Sequence, residues 1–399
     1  MPKITGDRWL EIDVDAIRNN LIQVQSQLNE RVRLIAVIKA DAYGHGAVET
    51  ARILYQNGVD FFAVSFLEEA LALRQGDINA SIMLFCPLVD EHQITLALKN
   101  HLTISVTSLF DCKLLDKVSR HLNIKATVHL KLETGLGRFG MGLNEALEVC
   151  RILNDNPCIY IEGVYTHMAE AGQKSEVYTR KQFNLFMDIV NKLKQNGFTI
   201  PICHCANSVV FLKYPEMHLD AVRIGTLISG QLPVGKFNTS LKLIDPYKFK
   251  TRIISLKTLP KGSYLGYYRT ARLRQEAQIA VIPVGFNHGL ALAVDNRPIG
   301  FFDFVKILAK KFLAYLFPHS YSLRVKINGK EYPIKGKIFM QMALVEIPVE
   351  DMVAIGDEVE VPVRKTLALG KINRIYMKDG EACKIEENER TTYVVEGDI

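Results

Sequence analysis

Five ionisable side chains stand at or just past the ends of short, apolar, β-branched runs: Lys39, Lys131, His167, His204 and Arg223. A lysine in an apolar surround loses affinity for its proton and becomes a usable amine nucleophile, which is what Schiff-base chemistry with an aldehyde cofactor requires. Taken singly, each residue has an ordinary explanation. A strand-terminal lysine snorkels to solvent, Lys131 and Arg138 are surface charges beside a Gly-rich turn, and His167 is a satisfied core histidine. Taken together, five such groups at strand ends converge on one place, and burying charge without partners is costly. The set therefore reads as a site. Ser208 and the backbone of Gly225 and Thr226 offer the hydroxyls and N–H groups that a cofactor phosphate needs, in the loops after the last two strands.

The elements that must hold these groups alternate. Strand-like runs cover Arg33–Lys39, Phe61–Phe66, Ser81–Cys86, Leu102–Val106, Lys125–Lys131, Tyr160–Thr166, Ile202–Cys205 and Ala221–Ile224. Amphipathic helical segments separate them. One has an apolar face of Ala47, Val48, Ala51, Leu54 and Tyr55. Another has Phe183, Phe186, Met187, Val190 and Leu193, stopped by Asn196-Gly197. Eight strands alternating with helices predict a (β/α)8 barrel, with a doubly wound open sheet as the alternative. Past Gly230 the pattern changes. A stretch with Pro233, Gly235 and Pro246 reads as a linker. Strand-like runs without long helices follow at Arg252–Leu256, Ile279–Val284, Leu323–Ile327, Lys337–Ile347 and Glu358–Val363, with Asn328-Gly329 as a hairpin turn. The expected division is a barrel over residues 11–234 and a β-rich domain over 235–399, to which the N-terminal strand 1–10 belongs.

One segment departs from that pattern. "DFVKILAKKFLAYLF", Asp303–Phe317, has apolar residues at 304, 305, 308, 312, 315 and 316 and lysines at 306, 310 and 311. This is an amphipathic helix. Packing on the β domain or on a partner subunit is expected for it ahead of a membrane-surface role, although basic amphipathic helices do lie in membrane interfaces.

Composition bounds the rest. The chain has 399 residues, 48% of them hydrophobic and 23% charged, enough for a large core and two domains without disorder. A net charge of +6 admits an anionic ligand, and no basic stripe with interleaved aromatics suggests a nucleic-acid partner. Seven cysteines, most in apolar runs, read as reduced thiols of a cytoplasmic protein. Cys203-His204-Cys205 lacks a second cluster at zinc spacing, so no metal is expected. Residues Met1–Ile12 do not form a signal peptide, and no run of uncharged apolar residues is long enough to span a bilayer.

The motifs that carry these residues also carry a resemblance. "AVIKADAYGHG" (residues 36–46), "KLETGLGRFG" from Lys131, "THMAEA" from Thr166, "HCANS" from His204 and "VRIGT" from Val222 occur in this order and spacing. With them the chain resembles the bacterial alanine racemases, from about Trp9 to Val363, most weakly over Pro298–Ser322 and after Arg364. The resemblance implies a pyridoxal 5′-phosphate (PLP) enzyme built as a barrel followed by a β domain. It would be a homodimer with shared active sites that makes D-alanine for peptidoglycan. By position, Lys39 would carry the cofactor and act as one acid/base. The cofactor would also be held by Tyr43, His204, Asn207, Ser208, Arg223, Gly225 and Thr226, with Arg223 at the pyridine nitrogen and His204 behind it. Tyr267, in "LGYYRT", would be the second acid/base, supported by His167. Arg138 would contact Tyr267 and the substrate carboxylate, Met340 would offer that carboxylate an N–H, and Lys131 would be the residue that is carbamylated in many members.

Two opposed bases suit a reaction that removes a proton from one face of Cα and returns one to the other. An arginine at the pyridine nitrogen does not protonate it, which leaves the ring a weaker electron sink and favours return of the proton over transamination. Several positions depart from the family pattern. Phe286 stands where a tyrosine guards the entry, Asn287-His288 replace Ala-Asp, Gln341 replaces an aspartate, Ser229 replaces a tyrosine, and Arg374 stands where a tyrosine lies near the phosphate. These changes leave open a racemase of serine or of a broader amino-acid range, and a non-catalytic PLP-binding regulatory paralogue. A related PLP decarboxylase is disfavoured, because those place an acid at the pyridine nitrogen.

Overall fold

The computed structural model describes every residue except 1–3, 5, 234, 236, 293–297, 299, 317–321, 366–371, 388–389 and 394–399. The chain divides into two units, Val14–Pro246 and a second made of Met1–Asp13 with Tyr247–Ile399.

The first unit is the barrel. After β1 (Arg8–Asp13), which belongs to the second unit, its strands are β2 (Arg33–Val37), β3 (Phe61–Val64), β4 (Ser81–Leu84), β5 (Thr103–Val106), β6 (Ala126–Lys131), β7 (Ile159–Tyr165), β8 (Ile202–His204) and β9 (Ala221–Ile224). All eight are parallel, in the order β8-β7-β6-β5-β4-β3-β2-β9. The bridge between Ala206 and Val222 joins the last two edges. Alternating residues point inward, and Ile35, Val37, Phe61, Ala63, Met83, Tyr165 and Ala221 form one apolar cluster. The helices that ring it are α1 (Val14–Gln25), α2 (Ala47–Gln56), α3 (Leu67–Gln75), α4 (Glu91–Lys99), α5 (Leu109–Leu122), α6 (Leu143–Asn154), α7 (Val177–Gln195) and the short α8 (Ser208–Lys213). Local signals start several of them. Asp90 accepts from Gln93 N at 2.8 Å at the head of α4, and Ser108 and Asp111 form a reciprocal capping box at the head of α5.

The second unit is a mostly antiparallel sheet of eleven strands. β1 sits inside it, antiparallel to β10 (Tyr247–Arg252) and parallel to β19 (Asn373–Lys378), with Trp9 fully buried. β11 (Ser255–Leu259), β14 (Ala277–Ile282), β15 (Arg324–Ile327), β16 (Lys330–Lys335), β17 (Ala343–Ile347), β18 (Glu358–Glu360), β20 (Glu381–Glu387) and β21 (Arg390–Tyr393) complete it. β12 (Tyr264–Leu265) and β13 (Ala271–Arg272) form a separate ribbon.

Several expectations need correction. The run expected at Arg252–Leu256 straddles a break at Ile253–Ile254, where the chain leaves β10 and enters β11. Of Lys337–Ile347 only residues 343–347 are a strand. Phe339 N donates to Met342 O at 3.0 Å, which folds residues 339–342 into a tight turn. In α2 the buried face is Glu49, Thr50, Ala51, Ile53 and Leu54, while Tyr55 is exposed, so the expected face is rotated. The amphipathic helix α9 runs Phe301–Leu316, and none of its side chains is buried. It therefore does not pack its apolar face on its own unit. Phe317, its expected last residue, lies outside the described residues.

Candidate active site at the barrel mouth

Lys39 lies two residues beyond β2, at the start of a tight turn, not at the strand's end as expected. Ala40, Asp41, Ala42 and Tyr43 all adopt left-handed backbone angles, with φ between 50° and 59°. Such a run of non-glycine residues is strained, at about 1–2 kcal/mol each. Neighbours hold it in place. Ala42 N donates to Ile38 O at 2.9 Å and Gly46 N to Asp41 O at 3.0 Å. Ala40 N donates to Glu69 Oε1 at 2.6 Å, and Glu69 Oε2 in turn accepts from Ser65 N and Phe66 N at the head of α3. Asp41 Oδ1 accepts from Ala47 N at 2.7 Å, tying the turn to α2. The turn fixes the Lys39 amine and the Tyr43 ring over the barrel.

A cavity of about 240 Å³ opens at the C-terminal ends of the strands. Ten of the expected residues line it: Lys39, Tyr43, Lys131, Arg138, His167, Asn207, Ser208, Arg223, Gly225 and Thr226. His204 is fully buried behind them. Tyr43 lies so close to Gly225 that a Cβ added at that glycine would fall 2.3 Å from Tyr43 Oη. That contact, not backbone conformation, demands glycine there. Asn207 caps α8, its side chain accepting from Val209 N and Val210 N at 3.0 Å each. Glu133 organises the Gly-rich turn before Arg138, accepting from the backbone of Gly135, Leu136 and Gly137.

Behind the cavity runs a chain of four polar groups. Arg223 Nη1 donates to His204 Nδ1 at 2.8 Å, and its Nη2 donates to Thr166 O at 2.8 Å and Cys205 O at 3.2 Å. His204 Nε2 meets His129 Nδ1 at 2.8 Å, and His129 Nε2 meets Glu162 Oε2 at 2.9 Å. Guanidinium only donates, so His204 Nδ1 must be a lone pair. His204 then gives its Nε2 proton to His129, and His129 gives its own to Glu162. Both rings are neutral. Burial and the Arg223 charge hold His204 well below the ordinary histidine range, and burial lowers His129 despite Glu162.

The position of Glu162 comes from a β-bulge. Val128 pairs with Ile161 but His129 pairs with Gly163, so Glu162 is the extra residue of β7. Gly163 accommodates the close approach, because a Cβ there would lie 2.6 Å from His129 Cε1. Sequence reading missed Glu162 and His129. His129 carried a usable signal, standing two residues before Lys131 on one strand and hence on the same face. Tyr165 was missed as well. It stacks on His204 with ring centroids 5.0 Å apart, receives Lys131 Nζ at 4.8 Å over its face, and meets Ser105 Oγ at 2.9 Å.

The electrostatics follow from burial among cations. Burial and then the Arg138 charge lower the pKa of Lys39. Burial and then Arg223 hold Lys131 well below the usual lysine value, and the same two causes hold His167 well below that of histidine. Burial lowers Arg223 to about 10, which leaves it charged at neutral pH, and raises Tyr43 and Tyr165 to about 12. The mouth thus holds amines and an imidazole that give up protons readily, set among the Arg138 and Arg223 cations. Cys205 Sγ donates to Met217 O at 3.2 Å, and His204 is engaged on both nitrogens, so the Cys-His-Cys stretch is occupied structurally.

Tyr267 and Met340 belong to the β-rich unit, where both are exposed. Tyr267 packs edge-on against Phe339 at 5.1 Å, and Asn287 N donates to Met340 O at 3.0 Å. Gln341 follows Met340 in its loop, and Phe286 stands in the turn after β14. Arg374, on β19, pairs with Glu386 at 3.4 Å.

A barrel with an amine-bearing, cation-rich mouth, followed in sequence by a β-rich unit, is the plan of a two-part enzyme. The alanine racemase N-terminal domain profile matches residues 12–233 and the C-terminal domain profile matches residues 247–373. The chain belongs to the alanine racemase family. An alanine racemase of Clostridium tetani is 35% identical over 355 residues, 88% of this chain and 84% of that one. Alanine racemase 1 of Caldanaerobacter subterraneus is 32% identical over 357 residues, again 88% and 84%. A solved alanine racemase of Clostridium difficile aligns with a TM-score of 0.84 at 29% identity, over 96% of this chain and 99% of that one.

Proposed function

We propose that the chain interconverts L- and D-alanine, with PLP held in the barrel cavity and attached through Lys39. The observation that carries this reading is the Lys39 amine itself. It borders the cavity that opens at the barrel mouth, rests on a strained and anchored turn, and has a lowered proton affinity. The cavity's donor set fits the cofactor. Ser208, Thr226, Tyr43 and the Gly225 backbone suit a phosphate, Asn207 fixes the turn that presents Ser208, and Arg223 suits a ring nitrogen. When bound, PLP accepts electron density from Cα and so acidifies the substrate's α-proton.

The chain's own residues do the remainder. Lys39, deprotonated more readily than an ordinary lysine, takes or returns the proton on one face of Cα. Tyr267, supported by His167, serves the other face, supplied by a second copy in a homodimer. Arg138 orients Tyr267 and, with the Met340 N–H, the substrate carboxylate. Arg223 donates a hydrogen bond without giving up its proton, because three carbonyls and the Nδ1 of a neutral His204 hold it in the charged form. Lys131, whose hold on its proton burial weakens, would react with carbon dioxide through its neutral amine, and its carbamate would pair with Arg138.

The named relatives favour alanine over a broader range, even with Phe286, Gln341 and Ser229 in place. The D-alanine would feed peptidoglycan synthesis in the cytoplasm. Purified protein is expected to be yellow, borohydride to fix the cofactor's mass on Lys39, and solvent deuterium to enter Cα of both alanine enantiomers. Colour without exchange on any amino acid would replace this reading with a non-catalytic PLP-binding protein.

A further inference from the structure

The helix α9 is the largest break in the molecule's hydrophobic order. At 3.6 residues per turn, Phe301, Val305, Leu308, Phe312, Tyr315 and Leu316 fall within an arc of roughly 100°. Phe302, Phe304 and Leu313 widen it to about half the circumference. All nine are exposed, Phe312 at 61% and Tyr315 at 82%. Asp303, Ile307 and Ala314 are the helix residues that are partly covered, and they share the opposite face. The helix is thus attached along its back and turns its apolar side outward.

Its charges say what that side meets. Lys306 and Lys311 stand at the two borders of the apolar arc, about equally far from its centre, and Lys310 lies nearer the back. Lysines there reach the level of lipid headgroups when the arc is immersed. A second copy of the helix is a poorer match. Facing helices share a narrow seam, whereas this arc spans half the cylinder. A two-fold contact would also set lysine borders against lysine borders, with no acid at the edge to pair them. Sixteen residues cannot cross a bilayer, and no described helix can.

We propose that α9 is an in-plane membrane anchor that docks the protein on an anionic lipid surface. The test is flotation of the full-length protein with vesicles of equal parts phosphatidylglycerol and phosphatidylethanolamine, against vesicles of phosphatidylcholine alone. The protein is expected to float with the anionic vesicles and to remain behind with the neutral ones. Leu308→Glu combined with Phe312→Glu, both at exposed positions, should abolish flotation and leave melting temperature and racemisation rate unchanged. Lys306→Gln, Lys310→Gln and Lys311→Gln together, which keep the apolar arc, should weaken lipid binding roughly a hundredfold. Failure of the wild-type protein to float, or full flotation of either variant, overturns the proposal. So does efficient copy-to-copy cross-linking through Leu308→Cys joined to a halved solution mass for the double glutamate variant, which would assign the face to a second copy.

Discussion

The barrel interior and helix α9 break the usual pairing of polarity with burial in opposite directions. Inside the barrel, Lys131, His204 and Arg223 are buried and charged or polar. On α9, five phenylalanine and tyrosine rings stand in solvent. The two regions differ in what compensates. Both terminal nitrogens of Arg223 and both ring nitrogens of His204 have partners, and Glu162 terminates their chain at the barrel wall. Among the described residues, nothing in its own unit covers the apolar arc of α9. A buried charge with satisfied partners marks chemistry carried out within the chain, and an exposed apolar face marks a surface meant for something outside it.

Substitutions sharpen that contrast. The largest effect is expected from Lys39→Ala, which should lower racemisation by about 10⁴-fold or more while the protein stays folded, as read by chiral chromatography and circular dichroism. Arg223→Leu should cost about 3 kcal/mol of stability in urea titration, because it takes a donor from His204 Nδ1 and from the Thr166 and Cys205 carbonyls at once, while His204 O keeps Thr166 N. Lys131→Met should do the reverse, raising stability by about 1 kcal/mol while turnover falls, since among the described residues Lys131 makes no salt bridge. If that variant is less stable, the lysine has a partner that its geometry does not reveal. Acid should act on the same cluster. His129, His167 and His204 bind protons less readily folded than unfolded. Their stability contribution is therefore complete above the ordinary histidine value of about 6.5 and is lost as pH falls below it. Calorimetry from pH 7 to 5 should show the melting temperature falling, and His204→Gln should flatten the slope. The smallest effect belongs to Leu308→Glu on α9, which should change stability by less than about 0.5 kcal/mol.

The sequence was most legible where a local rule decides the outcome. β-Branched runs gave all eight barrel strands to within two residues, and four of the five ionisable residues beside their ends line one cavity, the other lining groups having come from nearby loops and from the family resemblance. It was less legible where tertiary packing overrides a local rule. Glu162 stayed hidden because one extra residue in β7 re-aims it, and alternation carries no mark of a bulge. Lys39 was expected to end a strand, because nothing in Ala-Asp-Ala-Tyr announces a left-handed turn that Glu69 anchors from outside. The face of α2 was misjudged because Glu49 is buried against Arg52, which polarity alone argues against. The apolar face of α9 was read correctly, and its cover was expected first from the β domain or a partner subunit and second from a membrane surface; among the described residues, the β domain does not supply it.

The turn after Lys39 has a consequence of a different kind. Ala40 and Ala42 occupy backbone angles that cost an L-residue dearly and are the natural home of its mirror image. A semisynthetic chain with D-alanine at positions 40 and 42 should keep every hydrogen bond of the turn and gain about 2 kcal/mol in melting experiments. A protein whose reaction ignores the handedness of alanine would then be steadied by the enantiomer that ribosomes never supply.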